Sequence, residues 1–431
     1  MRQPTLHRTV SRWQVLGLAI NGVVGSGIYL LPAAEAGYLG NASLLAVALA
    51  GLTVLLVVFC FAEAATHFDG TGGAYLYTRE AFGDFVGFEV GWMTWLARVA
   101  SIASLSVGFA QALGYLWPAA ATEGLARTAA IILPLLGLTY LNWIGVKSGA
   151  RTAVVLVIAK LVPLAVFIVA GAFYFSREVF AAQTASDTAG MGEGGLGQAA
   201  LLLLFAYAGF ENTAAPAGEF RRPKRDLPFA LITQIAIVTL IYCGVQAVAL
   251  GTQPDLAAST TPLADAAGRF FGSWGGLLLT VGAAVSILGT NGNSVLAGPR
   301  YLFALAADGY GPRFLARIHP TYRTPANALL LQTVIAVPMA LTGSFTGLAA
   351  LSVIARLATY LGTAAAVPVL RRRHSVQPSE GFRLPGGWLI PAAAALLSLA
   401  LAASAGRNNL IAGALALAVG AVIFALRRKD R

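Results

Sequence analysis

Charged side chains are scarce in this chain of 431 residues. Asp, Glu, Lys and Arg make up 11% of it, whereas they make up about 25% of an average soluble protein. Hydrophobic residues make up 57%, and the mean hydropathy is +0.73. This composition excludes an ordinary water-soluble domain and predicts that most of the chain lies in a lipid bilayer.

Cysteine and the usual catalytic signatures are also missing or nearly so. Cys60 and Cys243 both lie in apolar runs, so neither a disulfide framework nor a metal cluster is predicted. The sequence has no Walker-type phosphate loop, no zinc-ligand spacing and no catalytic-triad signature. We therefore predict that the chain is not an enzyme and that it uses no cofactor and no metal.

The chain has an excess of positive charge, with a formal net charge of +11 and a pI near 9.9. Such a balance can indicate a nucleic-acid partner. In a chain this apolar, however, the basic residues are expected in loops that face an anionic lipid leaflet. We predict a lipid bilayer and no nucleic acid as the partner of these charges.

Long apolar runs dominate the sequence. A helix needs about 20 apolar residues to span the hydrocarbon core, and the first run ends in a Gly/Pro-rich break rather than at a signal-peptide cleavage site. We predict an all-α membrane protein with one polytopic domain, 1–426, and a short basic tail, 427–431. The twelve predicted transmembrane helices are at 13–34, 42–66, 85–117, 127–145, 152–175, 197–218, 229–251, 273–305, 326–343, 346–370, 388–405 and 409–426.

The distribution of Lys and Arg agrees with this count. With the N-terminus inside, 22 of the 29 basic residues fall on the cytoplasmic side and four on the outer side, as the positive-inside rule expects. Both termini are thus predicted to be cytoplasmic, in the inner (plasma) membrane. Three basic residues remain at membrane depth: Arg98, Lys160 and Arg356. Arg356 has no evident role in the sequence.

Two of the apolar runs are interrupted at matching places. The run 16–32 is broken by Gly25-Ser26-Gly27, and the run 201–218 is broken at Ala208-Gly209-Phe210-Glu211. Unwinding exposes backbone N–H and C=O groups, which is tolerated at membrane depth only beside protein or a watery cavity. Paired breaks in two halves of a chain indicate the binding site of a transporter.

Five spans separate the two breaks. This spacing predicts an inverted repeat of two five-helix units, 13–175 and 197–370, with discontinuous helices 1 and 6. Two further helices, at 388–426, follow the second unit.

Several short motifs surround the breaks in a specific order and spacing. They are Gly22-Val23-Val24-Gly25-Ser26-Gly27-Ile28-Tyr29-Leu30-Leu31-Pro32, Gly72-Gly73-Ala74-Tyr75, Gly91-Trp92, Phe205-Ala206-Tyr207-Ala208-Gly209-Phe210-Glu211, Glu219, Arg222-Pro223-Lys224-Arg225-Asp226-Leu227-Pro228, Arg300 with Ala307-Asp308-Gly309 and Pro312, and Thr324-Pro325. With these motifs the chain resembles the amino acid–polyamine–organocation (APC) permeases, which have the five-plus-five LeuT-type fold. The resemblance implies secondary transport of amino acids by alternating access.

The resemblance also implies a substrate site at the two breaks. The substrate carboxylate would bind the amides of Ser26 and Gly27, where Gly25 allows a close approach. The substrate amino group would meet the carbonyls of Val23, Phe205 and Ala208. The alternative is that these small residues only let helices pack closely. Beside them, Gly209 belongs to the second break, and Ser294 either lines the cavity or bonds a neighbouring helix.

Phe205, Lys160 and Arg98 would decide what is carried and what drives transport. Phe205 stands where relatives have an aromatic gate, although a Phe in an apolar run can equally face lipid or the core. Lys160 stands where sodium-independent relatives have a lysine. Its protonation and deprotonation would couple transport to the proton gradient, unless it is a fixed structural cation. A charge at this depth is costly, so Lys160 should face the interior of the bundle.

Arg98 lines up with a segment that borders the substrate side chain in relatives, where it would favour an anionic group. The alternative is a structural ion pair with Glu63, Glu89 or Glu211. Glu211 matches an acid implicated in pH response in some relatives, or it braces the break in helix 6.

Together these features predict proton-coupled symport of neutral or acidic amino acids. The alternatives are an amino acid exchanger, a permease for polyamines or other organic amines, and a transport-inactive membrane sensor.

Overall fold

Helices make up the regular structure of this chain. The computed structural model describes residues 10–68, 72–145, 150–184, 195–214, 217, 220–373, 381–384 and 386–426, and in these ranges the only β pairing is an isolated parallel bridge between Val10 and Phe220. The prediction of an all-α protein is confirmed for this part of the chain. Glu219 and the basic tail, 427–431, lie outside the described residues.

The α-helices follow one another with short connections. In chain order they are α1 (Arg12–Val23), α2 (Ser26–Leu39), α3 (Ser43–Thr66), α4 (Ala74–Phe82), α5 (Asp84–Leu113), α6 (Pro118–Ala121), α7 (Leu125–Trp143), α8 (Ala150–Ala172), α9 (Arg177–Ala182), α10 (Gly195–Tyr207), α11 (Pro223–Thr252), α12 (Pro262–Phe271), α13 (Ser273–Ala307), α14 (Ala326–Thr342), α15 (Phe345–Arg373), α16 (Leu389–Ala403) and α17 (Arg407–Ala425). A 3-10 turn over Phe210–Ala214 follows α10.

Eight helical stretches in the described part of the chain are long and apolar enough to cross a membrane. They are Ser26–Thr66, Asp84–Leu113, Leu125–Trp143, Val155–Ala172, Pro223–Thr252, Ser273–Ala307, Phe345–Arg373 and Arg407–Ala425. The helices α14 and α16 are apolar but shorter. These helices fit a membrane protein that crosses the bilayer many times.

Both interruptions expected from the sequence are present. The helix α1 ends at Val23 and α2 begins at Ser26, because Val24 (φ −70°, ψ 102°) is extended and Gly25 (φ −135°, ψ −140°) also lies outside the helical region. The helix α10 ends at Tyr207, and the chain then turns at Gly209, whose φ is +122°. The predicted spans 13–34 and 197–218 are therefore each divided in two.

The two interruptions touch each other, and glycine makes this possible. A Cβ atom on Gly209 would collide with the carbonyl oxygen of Gly22, and a Cβ on Gly27 would lie 2.7 Å from the Cα of Ala206. The positive φ of Gly209 is also a conformation that other residues adopt only with strain. Small residues thus bring the backbones of the two breaks into contact.

The helix α5 runs through the centre of the molecule beside these breaks. Most of its residues are buried, and it packs against α13, α14 and α15. The helix α8 packs against α1 and α13. These helices supply the side chains that face the two interruptions.

We expect Gly209→Ala to destabilise the fold. The strained φ alone costs about 1–3 kcal/mol, and the added methyl group collides with Gly22. The melting temperature of the purified protein in detergent should therefore fall by several degrees. Gly137→Ala is the matched control, since Gly137 lies in α7 with open space where a Cβ would be, and its melting temperature should stay the same or rise. Equal melting temperatures for the two variants would contradict the close crossing of the breaks.

Candidate functional site

A narrow cavity with a volume of about 20 Å³, roughly room for one water molecule, lies between the two breaks. This is far below the volume of pockets that hold small molecules, about 300–1,000 Å³, so an amino acid would fit only after the lining residues move apart. Its lining comes from both interruptions and from α5, α13 and α15. The lining residues are Gly22, Val23, Gly25, Ser26, Gly27, Arg98, Ser101, Leu105, Phe205, Ala208, Gly209, Thr290, Ser294 and Arg356.

The structure brings the predicted substrate-contacting residues together in this lining. All of Val23, Gly25, Ser26, Gly27, Arg98, Phe205, Ala208, Gly209 and Ser294 belong to it. They come from four separate parts of the chain.

The N-terminus of α2 opens on this cavity. The first backbone N–H groups of a helix have no partner within the helix and carry a partial positive charge. The side chain of Ser26, the first residue of α2, is fully buried, and its Oγ has no hydrogen-bond partner among the described residues. An anion placed here would meet unused donors.

Lys160 fills the space behind the break between α1 and α2. Its Nζ donates hydrogen bonds to the carbonyl oxygens of Asn21 (3.0 Å) and Val24 (2.9 Å) and to Oγ1 of Thr290 (2.8 Å). Ser286 Oγ also donates to the carbonyl of Val24, at 3.1 Å. Lys160 is fully buried and is not part of the cavity lining. The ammonium group therefore joins α8 to the broken helix and to α13.

Glu211 joins the second break to two arginines. Its Oε1 accepts hydrogen bonds from Nη2 of Arg98 (2.5 Å) and from Nε of Arg356 (2.8 Å). Its Oε2 accepts one from the backbone N–H of Gly209, at 2.9 Å. We call Arg98, Glu211 and Arg356 the ion cluster. All three side chains are buried, with at most 3% of the residue exposed.

Of the three carboxylates considered for Arg98, the structure thus selects Glu211. Glu63 instead pairs with Arg371, whose Nε lies 2.5 Å from Glu63 Oε1. Glu89 packs beside Gly420 of α17. The sequence interpretation of Arg98 as one member of an ion pair therefore fits, and Arg98 also lines the cavity.

Arg356 is the functional candidate that sequence reasoning missed. Besides its bond to Glu211, it donates to Oγ of Ser352 (2.5 Å) and to Oγ of Ser101 (2.8 Å). It lies in α15 and reaches the cavity lining. The available signal was its charge at membrane depth, which is rare away from functional positions.

Phe205 covers part of the cavity. Its side chain is buried and packs edge-on against Phe345, with 5.9 Å between ring centroids. Its carbonyl accepts a hydrogen bond from the N–H of Ala208, at 3.1 Å, so one lone pair of this oxygen remains for a ligand. In the described ranges, no group of His, Cys, Asp and Glu side chains could hold a metal ion.

Comparison with known proteins identifies relatives along almost the entire chain. The model of the family described as amino acid permease matches residues 10–422. The serine/threonine exchanger SteT of Bacillus subtilis is 33% identical over 366 residues, which cover 83% of this chain and 82% of SteT. The branched-chain amino acid permease BcaP of the same organism is 26% identical over 445 residues, covering 98% of this chain and 94% of BcaP. The methylthioribose transporter of Bacillus subtilis is 27% identical over 440 residues, which cover 99% of this chain and 94% of that transporter.

We expect Glu211→Gln to destabilise the protein strongly. Removing one partner of a buried ion pair costs about 3–5 kcal/mol, because the remaining charges stay buried without compensation. Thermal unfolding of the purified variant in detergent measures this loss. Asp84→Asn is the control, since Asp84 pairs with Arg79 at the surface and such pairs contribute about 0–1 kcal/mol. If both variants unfolded at the wild-type temperature, the ion cluster would not be a structural element of the break.

Proposed function

This chain belongs to the amino acid permease family, and on that premise we propose that it imports amino acids across the inner membrane by proton-coupled symport. The resemblance of its motifs to the APC permeases is thereby confirmed, and the chain is a multi-pass membrane transporter. The observation that carries the proposal is the cavity at which two broken helices meet. Alternating access needs such a central site.

We place the backbone of the substrate at the two breaks. The carboxylate would accept hydrogen bonds from the N–H groups of Ser26 and Gly27, at the positive end of α2. The amino group would donate to the carbonyls of Val23 and Ala208 and to the remaining lone pair of the Phe205 carbonyl. These contacts involve only the part that all amino acids share.

The membrane topology we propose has twelve crossings. The divided pairs α1/α2 and α10 with its 3-10 turn would each make one crossing, and α3, α5, α7, α8, α11 and α13 to α17 would make the others. The two breaks then lie in crossings 1 and 6, at equivalent places of two five-crossing units, which supports the inverted repeat of 13–175 and 197–370. The excess of Lys and Arg in alternate connections supports cytoplasmic termini.

Phe205 is the gate in this proposal. Its ring lines the cavity and packs against Phe345, and a change in this contact would open one side of the cavity. The broken helices would rock against the helices around α5 and α13. The ion cluster lies on this boundary, because Glu211 belongs to the second break while Arg98 and Arg356 belong to α5 and α15.

Lys160 is the coupling residue in this proposal. Its ammonium group holds the carbonyls that the break in α1 sets free. Loss of its proton would remove a donor and a positive charge at that point, so protonation and the geometry of the substrate site are linked. Glu211 already accepts three hydrogen bonds, which favours a bracing role for it over a role as proton carrier.

Neutral or acidic amino acids are the substrates that we propose. Two relatives are named for serine and threonine and for branched-chain amino acids, which supports neutral substrates. Two arginines in the lining of the cavity disfavour a cationic substrate, because like charges repel strongly where water is excluded.

An exchanger is the second candidate function. The relative SteT is described as an exchanger, and the same cavity could serve exchange of one amino acid for another. In that case Lys160 would be a fixed cation between α1, α8 and α13.

Uptake into proteoliposomes distinguishes the two candidates. For the symporter, a pH gradient (acidic outside) should raise the initial rate of radiolabelled serine, leucine or glutamate uptake about tenfold or more into vesicles without internal amino acid. Lys160→Met, which keeps the side-chain length but removes the charge, should lose this stimulation. The exchanger is indicated instead if uptake ignores the gradient and requires internal amino acid.

A further inference from the structure

The cavity is surrounded by more positive than negative charge. The ion cluster contains two guanidinium groups and one carboxylate, and all three are buried. Its net charge is therefore positive. Burying an uncompensated charge is costly, and proteins normally pair such a charge with an opposite one.

Among the described salt bridges, Arg98 and Arg356 share a single acidic partner, Glu211. Glu63 is paired with Arg371, and Glu89 packs against α17. No residue that lines the cavity is acidic. Lys160 is a third buried cation, and its described hydrogen bonds go to two carbonyls and a hydroxyl, not to a carboxylate.

Arg98 has donor capacity that the cluster does not use. Its Nε is buried and has no hydrogen-bond partner among the described residues, although the side chain lines the cavity. A guanidinium group presents five N–H donors in a planar fork that matches a carboxylate. The structure thus offers a carboxylate site on the same cavity as the N-terminus of α2, but on the side of the ion cluster.

We propose that this site selects amino acids with an acidic side chain, aspartate and glutamate, over their amides. The α-carboxylate would bind at Ser26 and Gly27, and the side-chain carboxylate would bind at Arg98 and Arg356. The proposal rests on the proposed function, since it assigns the second half of the same substrate site. A bound acidic amino acid brings one net negative charge, which compensates the net charge of the ion cluster.

Glutamate and glutamine provide a direct comparison, because they differ little in shape and the amide lacks the charge. Glutamine would leave the excess positive charge uncompensated and would present N–H donors to guanidinium groups that are themselves donors. Arginine or lysine would add a further positive charge. Serine and other small neutral substrates would leave the guanidinium side of the cavity without an anion.

The test compares these amino acids on the purified wild-type protein. Binding of glutamate, glutamine, aspartate, asparagine and serine is measured at pH 7 by thermal shift, and uptake of radiolabelled glutamate and glutamine is measured in proteoliposomes. We expect glutamate and aspartate to bind about tenfold more tightly than their amides, or better, which corresponds to about 1.4 kcal/mol. Equal or tighter binding of the amides would overturn the inference.

Three variants assign the preference to the ion cluster. In Arg98→Gln the ratio of the affinity for glutamate to the affinity for glutamine should fall close to one. Arg98→Lys keeps the charge and should retain part of the preference. Arg371→Gln is the matched control, because it removes an arginine from a partly buried pair away from the cavity, and its preference should equal that of the wild type. An unchanged preference in Arg98→Gln would overturn the assignment.

Failure of this inference and failure of the proposed function give different results. If serine and glutamine bind and are carried while glutamate is not, the acidic-substrate inference is wrong and the permease function stands. If none of the amino acids shifts the melting temperature or enters the vesicles, the amino acid site itself is wrong. The wild-type comparison decides between these outcomes even if Arg98→Gln does not fold.

Discussion

A backbone group without a hydrogen-bond partner is costly in an apolar medium, and the rest of this structure is arranged around that constraint. Breaking α1 after Val23 leaves the carbonyls of Asn21 and Val24 without their helical partners. The ammonium of Lys160 and the hydroxyls of Ser286 and Thr290 take the place of those partners. These contacts give a structural reason for a lysine buried in the middle of an otherwise apolar helix.

The second break is satisfied in a different way, and the difference determines the electrostatics of the cavity. Here the carboxylate of Glu211 accepts a hydrogen bond from the backbone N–H of Gly209. That carboxylate must itself be compensated, and α5 and α15 supply Arg98 and Arg356. Two arginines compensate one carboxylate, so one positive charge is left in excess. The way in which the fold stabilises one unwound turn thus produces the positive surface that an acidic substrate would use.

The sequence alone predicts the positions of both breaks and a Lys160 side chain that faces the interior of the bundle. Glycine and serine in an apolar run and a charge at membrane depth are local signals, and they need no knowledge of long-range contacts. The partner of Arg98 is different, because three carboxylates on separate parts of the chain were available to it. The pairs Arg98–Glu211 and Arg356–Glu211 span 113 and 145 residues of sequence, so only the tertiary packing selects them.

The sequence analysis also does not predict the short helices outside the long apolar runs. The helices α9 and α12 have 6 and 10 residues and are too short to span a bilayer. They lie between the predicted transmembrane helices, where the sequence predicts only connections. Arg356 is unusual in the sequence for its charge at membrane depth, but the sequence indicates no role for it, because Glu211 and Ser101 lie far from it along the chain. In each case the missing information was which surfaces meet.

The central claim is that an amino acid binds between the two broken helices. Reactivity of a single cysteine in the cavity tests it directly: Ser294→Cys is placed in a background with Cys60→Ala and Cys243→Ala, and its labelling by a small membrane-permeant maleimide is followed in proteoliposomes. We predict that a transported amino acid slows the labelling in proportion to its occupancy of the site. Labelling that stays equally fast at saturating concentrations of a transported amino acid would contradict the claim.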